Sequence, residues 1–292
     1  MIELPSKNDI DARGHKIVLA NFAKNDNVVN SSSQEANRTQ VMRSMVLLLF
    51  LVAMCAASLP RRVVAQGGPP LITDDPETPG NGHWEINVAW TLSHKRNARL
   101  FAIPLLDVNY GVGEHVQLKA EVPWLVRRER GAKTQSGIGS ANFGVKWRFL
   151  DKEHGFAMST YPQLEIRTSA SSVRRGLIEQ GGELRLPVEI SRELGPVTIN
   201  GEVGYQVVQR EKDEVLYGLV VGGEVNKRLE LVGEIHGTAK RNFADNELIF
   251  NVGGRFKMSR HYTLLFSSGR SLRRAAIGRP TLVAYVGCQF NF

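Results

Sequence analysis

Apolar and polar residues alternate along most of the chain beyond residue 83, which is the pattern of β-strands whose two faces meet different surroundings. In the stretch 141–150 the apolar positions are Phe143, Val145, Trp147 and Phe149, and the polar positions are Asn142, Lys146 and Arg148. Twelve segments of this kind are predicted as strands: 84–93, 100–111, 115–126, 141–150, 155–168, 182–193, 196–209, 215–226, 228–239, 247–257, 261–269 and 281–292. Since no amphipathic helix is predicted among them, the fold class is all-β.

The last predicted strand ends the chain on an aromatic residue. One face takes Leu282, Ala284, Val286, Cys288, Phe290 and Phe292. A final strand with phenylalanines on its apolar face resembles the C-terminal signature of outer-membrane β-barrel proteins. In that class the last strand closes the barrel and its terminal phenylalanine is read by the barrel assembly machinery. The resemblance therefore implies that Phe290 and Phe292 act in barrel closure and assembly.

The connections between predicted strands alternate between long or charged and short. The long ones are 94–99, 127–139, 169–181, 210–214, 240–246 and 269–280, and the short turns lie around Gly113, Lys152, Gly195, Lys227 and Ser259. Outer-membrane barrels have short periplasmic turns and longer outer loops, with an even number of strands. We therefore predict an antiparallel transmembrane β-barrel of about twelve strands over 83–292. Ten or fourteen strands remain open if one predicted strand is split or merged.

Periodicity does not say which face points inward. A soluble β-sandwich or small closed barrel also alternates, but its apolar face points into the core and its charged face to water. The terminal Phe292, the number of charges in each strand and the start of the chain all favour the membrane barrel.

The start of the chain predicts export. Residues 45–59 are almost wholly apolar and follow Arg43, but they are too short for a bilayer-spanning helix, which needs about 20 residues. Small residues at Val63 and Ala65 predict cleavage before Gln66, so 42–65 is interpreted as a secretory signal peptide. The polar stretch 1–41 is then interpreted as a non-native extension, with translation starting at Met42 or Met45. A lipoprotein signal using Cys55 is disfavoured because Met54 precedes it.

Composition narrows the function classes. The chain has 37 Lys+Arg and 29 Asp+Glu residues, a net charge of +8, and removing residues 1–65 leaves +5. Cys288 is the only cysteine after residue 65, so neither an intramolecular disulfide nor a cysteine-based metal site is expected. No nucleotide, metalloprotease or hydrolase motif is present, and we expect no enzyme, no cofactor, no bound metal and no nucleic-acid partner. A lipid-modifying enzyme with His236 as its base is the least favoured alternative.

Three stretches resemble one family of outer-membrane proteins. They are Pro69–Thr78, then Pro104–Val112 with its continuation Gln117–Pro123, and Gly137–Leu150, the last containing Gly-Ile-Gly-Ser-Ala-Asn-Phe-Gly-Val-Lys-Trp-Arg. Together they are similar to the MetA-pathway of phenol degradation family, whose members are usually labelled transporters. Ser140 departs from the aspartate expected there. The resemblance implies passage of small organic solutes, with aromatic compounds as candidates.

If the polar faces line the lumen, the lining is mixed in charge. The candidate lining residues are Lys119, Glu121, Lys146, Arg148, Glu165, Arg167, Glu183, Arg185, Glu189, Glu202, Glu230, Glu234, His236 and Arg255. Such a ladder either orients solutes in a transverse field or pairs across a narrow barrel as a polar core. Residues 66–82, with Asp74, Asp75 and Glu77, are either a periplasmic leader or a plug that pairs with the lumen arginines.

Basic residues concentrate in the long connections, for example Lys95, Arg96, Arg127 and Arg128. They suit the anionic phosphates of outer-membrane lipid and lipopolysaccharide, or they gather anionic solutes at the mouth. The tryptophans predict interfacial aromatic belts, with an aromatic ligand site as the alternative. The predicted function is passage of small organic solutes, aromatic or anionic, across the bacterial outer membrane. A non-transporting envelope barrel that binds surface partners through its basic loops is the alternative.

Overall fold

The computed structural model describes residues 67–151, 155–209, 213–240, 246–273 and 279–292. The predicted extension, signal peptide and cleavage site at residues 1–66 lie outside the described residues. Part of the predicted leader or plug, residues 67–82, lies within them.

The described chain consists almost entirely of β-strands. The strands are β1 (Trp84–His94), β2 (Ala98–Val112), β3 (Val116–Glu129), β4 (Gln135–Ile138), β5 (Ala141–Leu150), β6 (Ala157–Thr160), β7 (Gln163–Ile166), β8 (Glu183–Leu194), β9 (Val197–Val208), β10 (Glu214–Asn226), β11 (Leu229–Lys240), β12 (Asn246–Lys257), β13 (Tyr262–Ser271) and β14 (Leu282–Asn291). One short helix, α1 (Ala170–Arg174), lies between β7 and β8 and was not predicted. Within the described ranges, no helix has the length and apolar character needed to cross a membrane.

The strands form one closed antiparallel sheet. Each pairs with its neighbours along the chain, and β14 pairs with β1 from Glu85↔Asn291 to His94↔Leu282. Strands β4 and β5 both pair with β3, while β6 and β7 both pair with β5 and β8. Each of these two couples therefore makes one interrupted barrel strand, and the described residues form a barrel of twelve strands. The predicted fold class is confirmed.

Proline accounts for one interruption and marks the other. Between β6 and β7 lies Pro162, which has no N–H to donate to the ladder, although its carbonyl accepts from Val145 N–H at 3.0 Å. Between the pairs Trp124↔Ile138 and Glu121↔Asn142, the chain that leads from β4 to β5 has three residues where β3 has two. The extra residue lies opposite Pro123, whose carbonyl accepts from Gly139 N–H at 2.8 Å. The predicted loop at 127–139 is therefore shorter than expected, because β3 and β4 continue as a hairpin beyond this irregularity.

The apolar face of the barrel points outward. On β5, Phe143, Val145 and Trp147 are 46%, 50% and 54% exposed, whereas Lys146 on the other face is 2% exposed. A soluble barrel would show the reverse arrangement, so this orientation excludes that alternative. The buried apolar clusters are small, one of them formed by Leu71, Val220 and Val232.

Connection lengths differ between the two ends of the barrel. At one end β2 and β3, and β8 and β9, are joined by tight turns in which Gly113 and Gly195 have φ values of 62° and 63°. At the other end, residues 167–182 and 272–281 make long connections. The first connection at that end, residues 95–97 between β1 and β2, is shorter than the predicted 94–99 but carries the charges of Lys95 and Arg96.

Candidate functional site in the barrel lumen

Residues 67–79, here called the inner segment, lie against the inward polar face of the barrel. Thr73 is fully buried and Asp75 is 4% exposed, although both precede the first strand. The inner segment contacts β12 and β13 through residues 67–70 and β5 through Asp74, Asp75 and Glu77. It therefore bridges strands from different sides of the closed sheet.

Lys146 on β5 is the principal cationic anchor for the inner segment. Its Nζ donates to Asp74 Oδ1 at 2.9 Å and to the carbonyl of Asp75, and lies 3.8 Å from Glu189 Oε2. The ammonium also sits 4.6 Å from the centre of the Tyr161 ring. A buried cation needs such partners, because removing a charge from water without them is very costly.

Acidic side chains of the wall bind backbone amides of the inner segment. The carboxylate of Glu234 on β11 accepts from the N–H groups of Ile72, at 3.0 Å, and Thr73. The carboxylate of Glu202 on β9 accepts from Asp74 N–H at 3.1 Å. These charge-assisted hydrogen bonds are stronger than neutral ones. They fix the path of the backbone, so the segment is held by more than its own charges.

Two arginines hold the ends of the inner segment. Arg255 on β12 donates to the carbonyls of Gly67 and Pro69 at 2.7 and 3.1 Å. Arg148 on β5 pairs with Glu77 at 3.1 Å. Their planar guanidinium groups suit several acceptors at once. Pairing with lumen arginines was expected of a plug, and Arg148 pairs in this way with Glu77. Arg255 binds backbone carbonyls of the segment, and Asp74 pairs with a lysine, Lys146.

The pKa values of the two aspartates of the inner segment shift in opposite directions. Burial raises the pKa of Asp74, but the charges of Lys146 and Lys119 outweigh it and leave the pKa below its ordinary value. Burial raises the pKa of Asp75 to about 6, only partly offset by Lys146 and reinforced by the negative charge of Asp74. Lys146 therefore stabilises one carboxylate firmly and the other only in part.

A glycine on β10 makes room for the inner segment. A Cβ atom at Gly218 would lie 2.0 Å from Thr73 Oγ1, which is far inside van der Waals contact. At Gly233 on β11, by contrast, the nearest atom to a Cβ lies at 3.9 Å. The absence of a side chain at Gly218 therefore allows Thr73 to lie against β10.

We expect Gly218→Ala to displace the inner segment and raise ion conductance in planar bilayers, because the methyl group and Thr73 cannot occupy the same space. Gly233→Ala is the matched control and should conduct like the unmodified protein. Equal conductance of the two variants, with both folded, would contradict docking at Gly218.

Several predicted lining residues pair with each other instead of with the inner segment. Lys119 lies 3.0 Å from Glu121 and 3.7 Å from Asp107, and Arg185 lies 2.5 Å from Glu183. Arg255 also pairs with Glu230 at 3.3 Å. Lys119–Asp107 and Arg255–Glu230 join neighbouring strands, as expected for a polar core, whereas Lys119–Glu121 and Arg185–Glu183 pair along one strand.

The remaining predicted lining residues occupy three different settings. His236 Nδ1 lies 3.4 Å from Thr73 Oγ1, Glu165 on β7 is half-buried, and Arg167 is exposed one residue beyond the end of β7. The histidine thus faces the inner segment. The described residues contain no group of three potential metal ligands.

Two buried polar residues inside the barrel, Asp107 and Tyr161, were not predicted as lining residues. Asp107 on β2 is 2% exposed and accepts from Asn87 Nδ2 at 3.2 Å, and Tyr161 is fully buried beneath Lys146. The alternation of Asp107 and Asn109 with Leu106 and Val108 was a usable signal for β2. Tyr161 had none, because it lies at the break between β6 and β7.

An apolar cavity of about 250 Å³ lies between residues 70–72 of the inner segment and strands that include β1, β2 and β14. Its apolar lining includes Leu71, Ile72, Leu92, Leu100, Ala102, Leu125, Val283 and Ala284. Polar groups on its wall include Asn251, Ser267 and Tyr285. Asn251 Oδ1 and the Tyr285 hydroxyl are buried, and neither has a hydrogen-bond partner among the described residues. The cavity is therefore an apolar compartment within an otherwise polar interior.

The predicted closure residues lie at the seam between the last and first strands. Phe290 is in register with Ile86, and Phe292 exchanges two backbone hydrogen bonds of 3.0 Å with Trp84. The Phe292 ring stacks on His261 with 6.5 Å between ring centres. The backbone ladder of the seam thus extends to the last residue of the chain.

Solved outer-membrane channels have similar structures. An outer membrane channel from Pseudomonas putida F1 matches with a TM-score of 0.64 and 14% identity, covering 78% of this chain and 100% of that one. The fold is that of an outer-membrane β-barrel. The NanC porin (TM-score 0.52) and the KdgM porin (0.51) each match at 10% identity over 70% of this chain, and over 98% and 99% of their own. Neither protein-family models nor curated protein sequences give a match. The narrower resemblance to the phenol-degradation family stays a prediction.

Proposed function

We propose that this protein is an outer-membrane channel for small organic solutes, in which the inner segment closes the lumen and the apolar cavity receives an aromatic solute. The observation that carries the proposal is the cavity itself. A lumen that passed only water-soluble ions would have no use for an apolar compartment lined by Leu71, Leu100 and Leu125. An apolar cavity of roughly 150 Å³ is enough for benzene, so about 250 Å³ admits a substituted ring.

Insertion in the outer membrane is supported by the outward apolar face. Aromatic side chains on this face include Trp84, Trp124, Trp147 and Tyr262, each more than 40% exposed. Such residues are enriched where a barrel meets the membrane–water interface. The proposal further includes export by the signal peptide at 42–65 and recognition of Phe292 by the barrel assembly machinery.

A hydroxylated aromatic compound is the solute class that fits best. Asn251 Oδ1 is an acceptor without a donor, and the Tyr285 hydroxyl lacks any partner among the described residues. Leaving a buried polar group unpaired costs about 1–3 kcal/mol. Either group would gain a partner if its side chain turned toward the hydroxyl of a solute in the cavity. This agrees with the family resemblance noted for Pro69–Thr78 and Gly137–Leu150.

The test is the rate of uptake of phenol and of toluene into liposomes that contain the purified full-length protein, measured as the increase over protein-free liposomes, which both compounds also enter. We expect both to enter, with Tyr285→Phe reducing phenol uptake by roughly three- to tenfold while leaving toluene uptake unchanged, because only phenol gains from the hydroxyl. Ser268→Ala, at an exposed position of β13, is the control substitution.

The alternative, a non-transporting envelope barrel, predicts a different result. No uptake of either compound, both in the unmodified protein and after release of the inner segment, would remove the channel proposal. Equal loss of phenol and toluene uptake in Tyr285→Phe would leave a channel but contradict recognition of the hydroxyl.

A further inference from the structure

One side of the barrel end carries an excess of positive charge. In residues 95–100 and 126–133 the basic residues are Lys95, Arg96, Arg99, Arg127, Arg128, Arg130 and Lys133, while Glu129 is the only acidic residue. These residues belong to β2, β3 and the connections that flank them at the end with the long loops. The charge is thus concentrated in two adjacent hairpins.

Two of these arginines face each other across the strand ladder. Arg99 on β2 and Arg128 on β3 are direct partners in the register. Like charges at directly opposite positions destabilise a sheet. The arrangement therefore calls for a counter-charge from elsewhere.

The described part of the protein does not supply that counter-charge. Glu129 pairs with Arg127, whose side chain alternates to the same face as the buried Leu125. None of the ion pairs between described residues involves Arg99 or Arg128, and both side chains are exposed. The nearest acid in sequence is thus already used on the opposite face of β3.

Both arginines project from the outer surface of the barrel, just beyond aromatic residues. Arg128 shares a face of β3 with Trp124, which is 48% exposed, and its guanidinium lies 5.7 Å from the centre of the Phe101 ring. Phe101 in turn packs against Trp90 at 6.1 Å. In a membrane barrel, aromatic rings of this kind lie at the interface and the charges beyond them reach the headgroups.

We infer that Arg99 and Arg128 form a binding site for the phosphate groups of a phosphorylated glycolipid in the outer leaflet. Two adjacent guanidinium groups present planar sets of donors that match phosphate oxygens. A phosphate between them would offset their mutual repulsion, while the acyl chains of the same lipid would lie along Phe101 and Trp90. The inference rests on the membrane location in the proposed function, but it concerns the outer surface and not the lumen.

The test measures binding of diphosphoryl lipid A to the purified full-length protein in detergent, by native mass spectrometry. We expect Arg99→Gln/Arg128→Gln to weaken binding by about tenfold or more, since two charge-assisted contacts are lost. Arg99→Lys/Arg128→Lys should lose less, because it keeps the charge without the planar donors. The control pair Lys227→Gln/Arg260→Gln removes two charges from the opposite end and should bind like the unmodified protein.

Two further probes separate the phosphate from the rest of the lipid. Lipid A without its phosphates should bind equally to the unmodified protein and Arg99→Gln/Arg128→Gln, and inorganic phosphate should compete only weakly. The inference is overturned if the glutamine pair binds diphosphoryl lipid A as tightly as the control pair does. Phenol uptake by the unmodified protein would then leave the proposed channel intact. Conversely, diphosphoryl lipid A binding that depends on Arg99 and Arg128, without phenol uptake by the unmodified protein or after release of the inner segment, would overturn the channel alone.

Discussion

Replacing residues 69–78 with a glycine–serine linker of equal length is expected to raise single-channel conductance on the order of tenfold. The inner segment occupies the space between β5, β9, β11 and β12, and it is held there by Lys146, Glu202, Glu234 and Arg255. A linker keeps the backbone groups that Glu202, Glu234 and Arg255 bind, but it lacks the carboxylates of Asp74 and Glu77 that pair with Lys146 and Arg148. It also lacks the apolar side chain of Leu71, which is buried against Val220 and Val232. It should therefore leave the lumen and open a path for ions.

The same recordings provide the control. A glycine–serine replacement of residues 130–134, the exposed connection between β3 and β4, changes backbone flexibility outside the inner segment. It should conduct like the unmodified protein. If the inner-segment variant is folded, shows the usual heat-modifiable band and conducts no better than this control, the inner segment does not close the channel.

Lys146→Met is expected to lower the free energy of unfolding by about 3–5 kcal/mol, the usual cost of removing one partner from a buried ion pair. Lys146 is 2% exposed and Glu189, 3.8 Å away, is fully buried. The substitution leaves Asp74 and Glu189 as uncompensated charges and removes the cation above Tyr161. Urea unfolding in detergent or lipid measures the loss, and conductance should rise as Asp74 is released.

A charge-neutral variant tests whether the loss comes from unpaired charge. Lys146→Met/Asp74→Asn/Glu189→Gln removes the cation and both acids together, and it should recover most of the lost stability because a buried ion pair contributes little net free energy over neutral groups. If the triple variant is as unstable as Lys146→Met, the lysine stabilises the barrel through packing and not through its charge.

Strand positions were predictable from the sequence because successive side chains of each barrel strand point alternately to the polar interior and to the apolar outer face. The expected segment 182–193 corresponds to Glu183–Leu194, and 247–257 corresponds to Asn246–Lys257. The predicted strand boundaries were wrong where a proline interrupts the hydrogen-bond ladder, because the alternation of apolar and polar residues does not show such an interruption. Pro162 divides the strand predicted at 155–168, and the hairpin beyond Pro123 occupies part of the predicted loop at 127–139.

The candidate site was predictable only as a set of residue types. Asp74, Asp75 and Glu77 were expected to meet lumen arginines if the leader folded inward. Glu77 meets Arg148, whereas Asp74 meets Lys146. The amide contacts of Glu234 and Glu202, the clearance at Gly218 and the cavity below Tyr285 had no sequence signal. Each depends on residues more than a hundred positions apart, or on backbone groups that every residue carries.

The sequence by itself determined an all-β chain with two chemically different faces and a terminal strand fit to close a sheet, because period-two alternation is a local property of each strand. Only the tertiary structure decided that the apolar face points outward, that the leader lies against the lumen wall, and which charges pair. The physical reason is that a closed sheet sets the distances between strands, and those distances decide whether a cation such as Lys146 meets a carboxylate, a backbone carbonyl or water.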